Sequence, residues 1–358
     1  MAATVLSQLT RSDFTSAILL TQMSASFVKR VAQETANISD SYQKKINSIN
    51  QNADKWRKVE DSAGKAVSKI SGVIGRAKSM LSKLDSMIYA INNAERSTAG
   101  DTNYEGYAST FDSLLKGLNT DANSSRVKPN LLGEGTTSFE YQYGVYGETQ
   151  TLNGSFLGSD YYITDTAGKR WVPDRSAKLL MRYDNYPDDP LGSDSANFKD
   201  GLQVDSISGN AVSFTVGPNT GTPQSFSGTI TRSGAEVLDS MFYDGLATSS
   251  GRTLALSDLD AAKETVNIEI RRYEISLTLA KFYEERAIGE AKGQSKKTND
   301  LYIERAMEVN KAKQTLKLEF RNAQSKVARA MALKNDYINL LAPFMNSKFA
   351  KAFVNIFA

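Results

Sequence analysis

The sequence predicts an α+β fold: long antiparallel N- and C-terminal helices forming a coiled-coil-like core, with an inserted antiparallel β-rich domain. Three observations predict it. No proline precedes Pro129 and only Pro343 follows Pro223, while 16 of the 24 glycines lie between Gly133 and Gly251. Proline breaks helix interiors and glycine weakens them, so the flanks are free to be long helices and the centre is not. Apolar residues in both flanks recur at steps of three and four, and in the centre they alternate at a period of two.

In the N-terminal flank the clearest run is Ala63, Val67, Ile70, Ile74, Ala77, Leu81, Leu84, Ile88 and Ile91, the seam of a helix lying along another helix. A looser run precedes it, Phe14, Ile18, Ala25, Val28, Ala32 and Ala36, followed by Ile38, Tyr42, Ile46, Ile49, Ala53 and Trp56. The polar stretch 50–61 suggests a break. A shorter helix is expected after Asn103, through Tyr107, Phe111, Leu114, Leu115 and Leu118.

The centre alternates at residues 138–146, 203–207 and 211–216, with Ser208-Gly209-Asn210 as a hairpin turn, and again at 225–230. In the C-terminal flank Ser257 or Asp258 is a candidate helix cap for the run Leu259, Ala262, Val266, Ile270, Tyr273, Leu277 and Ala280. Gly289 and Gly293 mark a weak point. A second helix is expected over 300–341 through Val309, Ala312, Leu316, Phe320, Ala323, Val327 and Ala330, roughly 60 Å long, with Pro343 ending or kinking it. The division expected is a terminal helical polymerisation region (1–49 with 298–358), a helical core domain (50–132 with 252–297) and an outer β domain (133–251).

Composition excludes much chemistry. With no cysteine there is no disulfide, thiolate nucleophile or sulfur-based metal centre; with no histidine the commonest general base and transition-metal ligand are missing. The carboxylate pair Glu284-Glu285 reads as the solvated face of a helix, and Gly72, Gly75 and Gly144-Val145-Tyr146-Gly147 form no phosphate loop. Asp184, Asp188, Asp189 and Asp194 read as a solvated loop, without the spacing of a calcium hand. The chain is therefore read as a non-enzyme with no cofactor and no metal.

Net charge is +3, but residues 133–251 hold 15 acidic and 7 basic side chains, leaving the flanks basic. The basic C-terminal helix lacks interleaved stacking aromatics, so it is read as a solvated or inter-subunit face, not a nucleic-acid binder. The first apolar cluster, Ala17-Ile18-Leu19-Leu20, is too short for a signal-peptide core or a membrane span. Export, if it occurs, would use a dedicated machine. The tail 344–358, with Phe344, Phe349, Phe353 and Phe357, is amphipathic and reads as a packing or chaperone-docking helix, with membrane contact as the alternative.

A long heptad helix cannot bury its seam alone. Antiparallel pairing of the two arms leaves the outermost segments with one partner each, and copies of the same chain would cover the remainder. A head-to-tail interface that does not close makes a helical filament. The residues expected to carry polymerisation are Phe14, Ile18, Val28, Val309, Leu316, Phe320, Val327, Leu340 and Leu341.

Local stretches sharpen this into a resemblance. Leu84-Asp85-Ser86-Met87-Ile88-Tyr89-Ala90-Ile91-Asn92-Asn93-Ala94 and Tyr107-Ala108-Ser109-Thr110-Phe111-Asp112-Ser113-Leu114-Leu115, with the exit Asn130-Leu131-Leu132-Gly133, resemble the outgoing core helices of bacterial flagellin. Val237-Leu238-Asp239-Ser240-Met241-Phe242-Tyr243-Asp244, leading into Leu256-Ser257-Asp258-Leu259, is similar to that family's re-entry into the core, and Asn339-Leu340-Leu341 to its close. The resemblance implies unfolded export through a type III channel with a cytoplasmic chaperone on the C-terminal arm. It further implies assembly as a homo-polymer into an extracellular filament, terminal helices inside and β domain outside. The competing reading is a membrane-active or needle-tip protein of a type III system.

Overall fold

The computed structural model describes residues 2–96, 103–124, 128–135, 137–174 and 178–345. The architecture is α+β, with long N- and C-terminal helices packed together and an antiparallel sheet domain between them in sequence. Helix α1 (Ala2–Arg96) is followed by α2 (Asn103–Ala122). Nine strands come next: β1 (Ser138–Gln142), β2 (Thr149–Asn153), β3 (Ser159–Asp165), β4 (Arg170–Pro173), β5 (Leu179–Tyr183), β6 (Asp194–Asn197), β7 (Leu202–Ser208), β8 (Ala211–Val216) and β9 (Gln224–Gly234). A 3-10 segment (Ser240–Leu246) leads into α3 (Ser249–Met345). The chain forms two compact units, one of residues 1–55 and 289–358, the other of residues 56–288.

The larger unit holds the sheet. Seven strands pair antiparallel in the order β6-β5-β4-β3-β9-β8-β7, and β1-β2 form a separate hairpin. The turn between β7 and β8 places Gly209 at φ +59, a left-handed backbone that glycine enters without a Cβ clash. Trp171 is fully buried, edge-on to Phe214 and Phe226 at centroid distances of 5.3 and 4.9 Å. Its indole N–H and the guanidinium of Arg182 both donate to Asp165 Oδ2, at 3.2 Å and 2.9–3.0 Å. Burial pushes the Asp165 carboxyl up, but the Lys169 backbone N–H, Arg182 and Trp171 outweigh it and hold it below the usual range.

In the same unit α1, α2 and α3 share one core that includes Ile70, Met80, Leu84, Phe111, Leu118, Val266 and Tyr273, all fully buried or nearly so. The end of α2 is capped by side chains: Arg76 donates to the Ser124 carbonyl at 2.9 Å and Asn130 Nδ2 to the Ala122 carbonyl at 2.8 Å, positions where the helix dipole favours donors. Asn119 grips the start of β3 like a neighbouring strand, donating to the Ser159 carbonyl at 2.9 Å and accepting its N–H at 2.6 Å. The β1-β2 hairpin rests on the helices through Tyr143 stacked on Tyr283 at 4.7 Å and the Gln142 N–H donated to Ser62 Oγ at 2.8 Å.

Several expectations are corrected. Helix α1 runs through 50–61 without a break, and α3 runs through Gly289 and Gly293. Each glycine costs about 1 kcal/mol against alanine, which a helix of this length absorbs. Helix α3 also starts earlier than Ser257: Thr248 Oγ1 accepts the Gly251 N–H at 3.0 Å and is the actual cap. Glycine is required there, since a Cβ on Gly251 would meet the Tyr243 carbonyl oxygen at 2.2 Å. Pro343 lies inside the helical range. Around Gly75 nothing among the described residues lies within 4 Å of where a Cβ would be. The strand expected over 138–146 stops at Gln142.

Candidate assembly surface

The smaller unit is a pair of antiparallel helical arms from α1 and α3. Phe27 stacks on Phe320 at 4.5 Å, Arg30 pairs with Glu319 at 3.1 Å, Gln43 accepts from Arg305 at 3.5 Å and Asn50 accepts from Thr298 at 3.0 Å. Each step up one helix is a step down the other, so the register does not slip. Two helices alone cannot enclose this seam: Met23, Phe27, Val31, Ile38, Tyr42, Ile49, Val309, Phe320 and Val327 stay half-buried, and Ile46, Ala53 and Leu316 are among the few side chains fully covered.

The nine residues singled out from the sequence fall into three groups. Val309, Leu316, Phe320 and Val327 face the partner arm within the chain. Ile18, Val28 and Leu340 are exposed, Val28 at 64% and Leu340 at 66%. The side chains of Phe14 and Leu341 lie outside the described residues, as do residues 346–358 of the tail. On α1 the expected line Ala25, Val28, Ala32, Ala36 is exposed, and the seam is the neighbouring line Met23, Phe27, Val31. The bulkier side chains take the seam because they remove more apolar area from water.

Sequence reasoning missed a set of exposed apolar side chains on α3: Ile303, Met307, Leu318, Leu333 and Tyr337. At 100° per residue Ile303, Met307 and Leu318 fall on the side of the helix away from Leu316 and Phe320, whereas Leu333 and Tyr337 lie about 100° and about 60° from Leu316. The signal was present in the pair Ile303/Met307 and in Leu333/Tyr337, each spaced by four. Exposed large apolar side chains grouped on one element mark an interaction surface.

The larger unit has a different polar feature where the chain re-enters the helices. Asp112 of α2 accepts the Ser240 N–H and hydroxyl, both at 2.7 Å, and Tyr161 of β3 donates to Asp239 at 2.8 Å. Tyr243 donates to Asp258 at 2.7 Å, which also accepts from Arg232 at 2.8 Å, and the Leu238 N–H donates to the Tyr243 hydroxyl. Burial, with the nearby Asp112 charge, pushes the Asp239 carboxyl up to about 7; burial also raises Asp112, and burial beside Asp239 raises the Tyr161 phenol well above its ordinary value. Glu236, Asp244 and Leu246 sit at positive φ around this junction. Hydrogen bonds hold a strained corner here.

Among the described residues no group of three or more acidic side chains is placed to hold a metal ion, and no helix is long and apolar enough to cross a membrane. Asp184 is engaged by Lys169 at 3.3 Å and Asp189 by the Asn185 N–H at 2.7 Å.

No family model matches the chain, and no curated protein does. Among solved structures, it is similar to flagellar hook-associated protein 3 from Legionella pneumophila at 14% identity and TM-score 0.41, covering 72% of this chain and 99% of that one. It is similar to the flagellar junction protein FlgL of Legionella pneumophila at 14% and 0.32, covering 75% and 99%. Xanthomonas campestris FlgL gives 11% and 0.22, covering 77% and 99%. At identities and scores this low, these likenesses decide neither fold nor role.

Proposed function

We propose that this chain is a structural subunit that self-assembles into a helical extracellular filament of the flagellar kind, its terminal arms forming the inner polymer and its β domain the outer surface. The observation that carries the reading is the exposed apolar side of α3 formed by Ile303, Met307 and Leu318, left in water by a helix pair whose own seam is only half-covered. A repeated copy of the chain supplies a matching helical surface at no cost in new sequence, and a non-closing contact of that kind propagates. The flagellin-like stretches from Leu84 to Ala94 and from Val237 to Asp244 support the same role. Within this reading, Ile18, Val28, Val309, Leu316, Phe320, Val327 and Leu340 contribute to the polymer, and an export chaperone covers the C-terminal arm beforehand.

Negative-stain microscopy of concentrated full-length protein tests the proposal. Uniform tubes are expected, and Ile303→Asp with Leu318→Asp should abolish them while leaving the helical circular dichroism of the dilute protein unchanged. Monodisperse particles at every concentration would overturn it.

A further inference from the structure

The larger unit carries two exposed stripes that no described residue covers. On α3, Ala261, Ile268, Ile275 and Phe282 recur every seven residues and all face solvent; Ile275 is 70% exposed. On α1, Ser68, Gly75, Ser82 and Tyr89 also recur every seven residues, and all four are exposed. Both lines point away from the shared core, whose residues Ile70, Met80, Val266 and Tyr273 lie on the opposite sides of the same helices.

The heights of the two stripes are related by ion pairs inside the chain. Lys78 meets Glu274 at 2.9 Å and Asp85 meets Lys263 at 2.7 Å, so α1 and α3 run antiparallel in a known register. That register sets Phe282 level with Ser68, Ile275 with Gly75, Ile268 with Ser82 and Ala261 with Tyr89. At all four levels a large side chain on one stripe stands opposite a small one on the other. The inversion at the last level, where α1 has the tyrosine and α3 the alanine, makes the match specific. Sliding by one heptad in one direction would drive Ile268 against Tyr89, and in the other would set Phe282 against Asp61. Charge agrees: Glu285 on α3 is level with Lys65 on α1, and both are exposed.

We infer that these stripes are the two halves of a side-by-side contact between copies. The apolar ridge of α3 in one subunit would seat in the small-residue groove of α1 in the next, at the same height and in the same orientation. Surface knobs set into holes at heptad spacing are the packing of coiled coils, here made between chains. The contact is heterologous, with ridge and groove on different helices, so each subunit keeps a free ridge on one side and a free groove on the other and can continue the row. The inference rests on the polymer reading above and adds to it the partner, register and residues of the lateral contact.

The chain has no cysteine, so single cysteines report contacts cleanly. Full-length Ser82→Cys and Ile268→Cys are mixed, assembled and oxidised, beside an out-of-register mixture of Ser68→Cys and Ile268→Cys. The expected result is a covalent dimer in the first mixture that is lost in the second and in either variant alone. In parallel, Ile275→Lys should raise the concentration needed for assembly by about tenfold, the equivalent of about 1.4 kcal/mol per contact, with the dilute protein's circular dichroism unchanged. Polymers that form normally without the in-register dimer would overturn this contact while leaving the polymer proposal standing. Failure of the unsubstituted protein to polymerise would overturn both.

Discussion

Helix α1 has a different fate in each of the two units. In the larger one, Ala63, Ala66, Ile70, Val73, Ala77, Met80, Leu84, Met87 and Ile91 are fully buried or nearly so, because α2, α3 and the β1-β2 hairpin close over them. In the smaller one the same helix, with a seam of similar spacing, meets only α3 among the described residues, and Met23, Phe27, Val31 and Ile38 remain half-exposed. Periodicity is thus not what distinguishes a finished core from an unfinished one. The difference is the number of neighbours: a third element covers the flanks of the stripe, and a pair cannot. A helix pair that satisfies its backbone but not its apolar surface gains its remaining stability by associating.

Paired truncations sharpen this contrast. Leu84→Ala, at a side chain with no exposure, should cost the larger unit about 4 kcal/mol in denaturant unfolding, the upper part of the range for buried leucines. Asp165→Ala should cost about 3 kcal/mol, because it strands the Arg182 guanidinium and the Trp171 N–H beneath the sheet. Both effects should leave the helical signal of the terminal arms largely intact.

Asp239→Asn should stabilise the larger unit by about 2 kcal/mol at pH 8 and have little effect at pH 4. The carboxyl is raised to about 7 in the folded protein from its ordinary value near 3.8. The native state therefore holds a proton that the unfolded chain has lost across that window, and stability falls as pH rises through it. Unfolding midpoints measured from pH 4 to 8 should decline in the native protein and flatten in the variant. The smallest effect belongs to the arms: Leu318→Ala, at a 59% exposed side chain, should change monomer unfolding by no more than about 0.5 kcal/mol while weakening assembly.

The helical half was readable because heptad spacing survives any tertiary context that buries one face. The central run from Ala63 to Ile91 and the short helix through Phe111 and Leu118 both appear where the spacing places them. The sheet was readable only in part. Strands β7, β8 and β9 alternate openly, whereas β3 points Ser159, Tyr161, Ile163 and Asp165 inward, so two of its four core positions are polar and the period vanishes. Those polar residues are satisfied by Val237, Arg182 and Trp171, partners up to 78 residues away that no local pattern announces. The assembly surface was half legible for a related reason. Small alanines at 25, 32 and 36 imitate a seam, while the larger side chains one or two positions away form it.

Hydrogen exchange on the full-length protein, dilute and then assembled, separates arms that are finished within one chain from arms that are completed by neighbouring copies. Amides of residues 17–55 and 289–340 should exchange far faster than those of 63–91 in the dilute protein and become protected on assembly. Equal protection of both stretches in the dilute protein, unchanged at high concentration, would contradict completion by neighbouring copies.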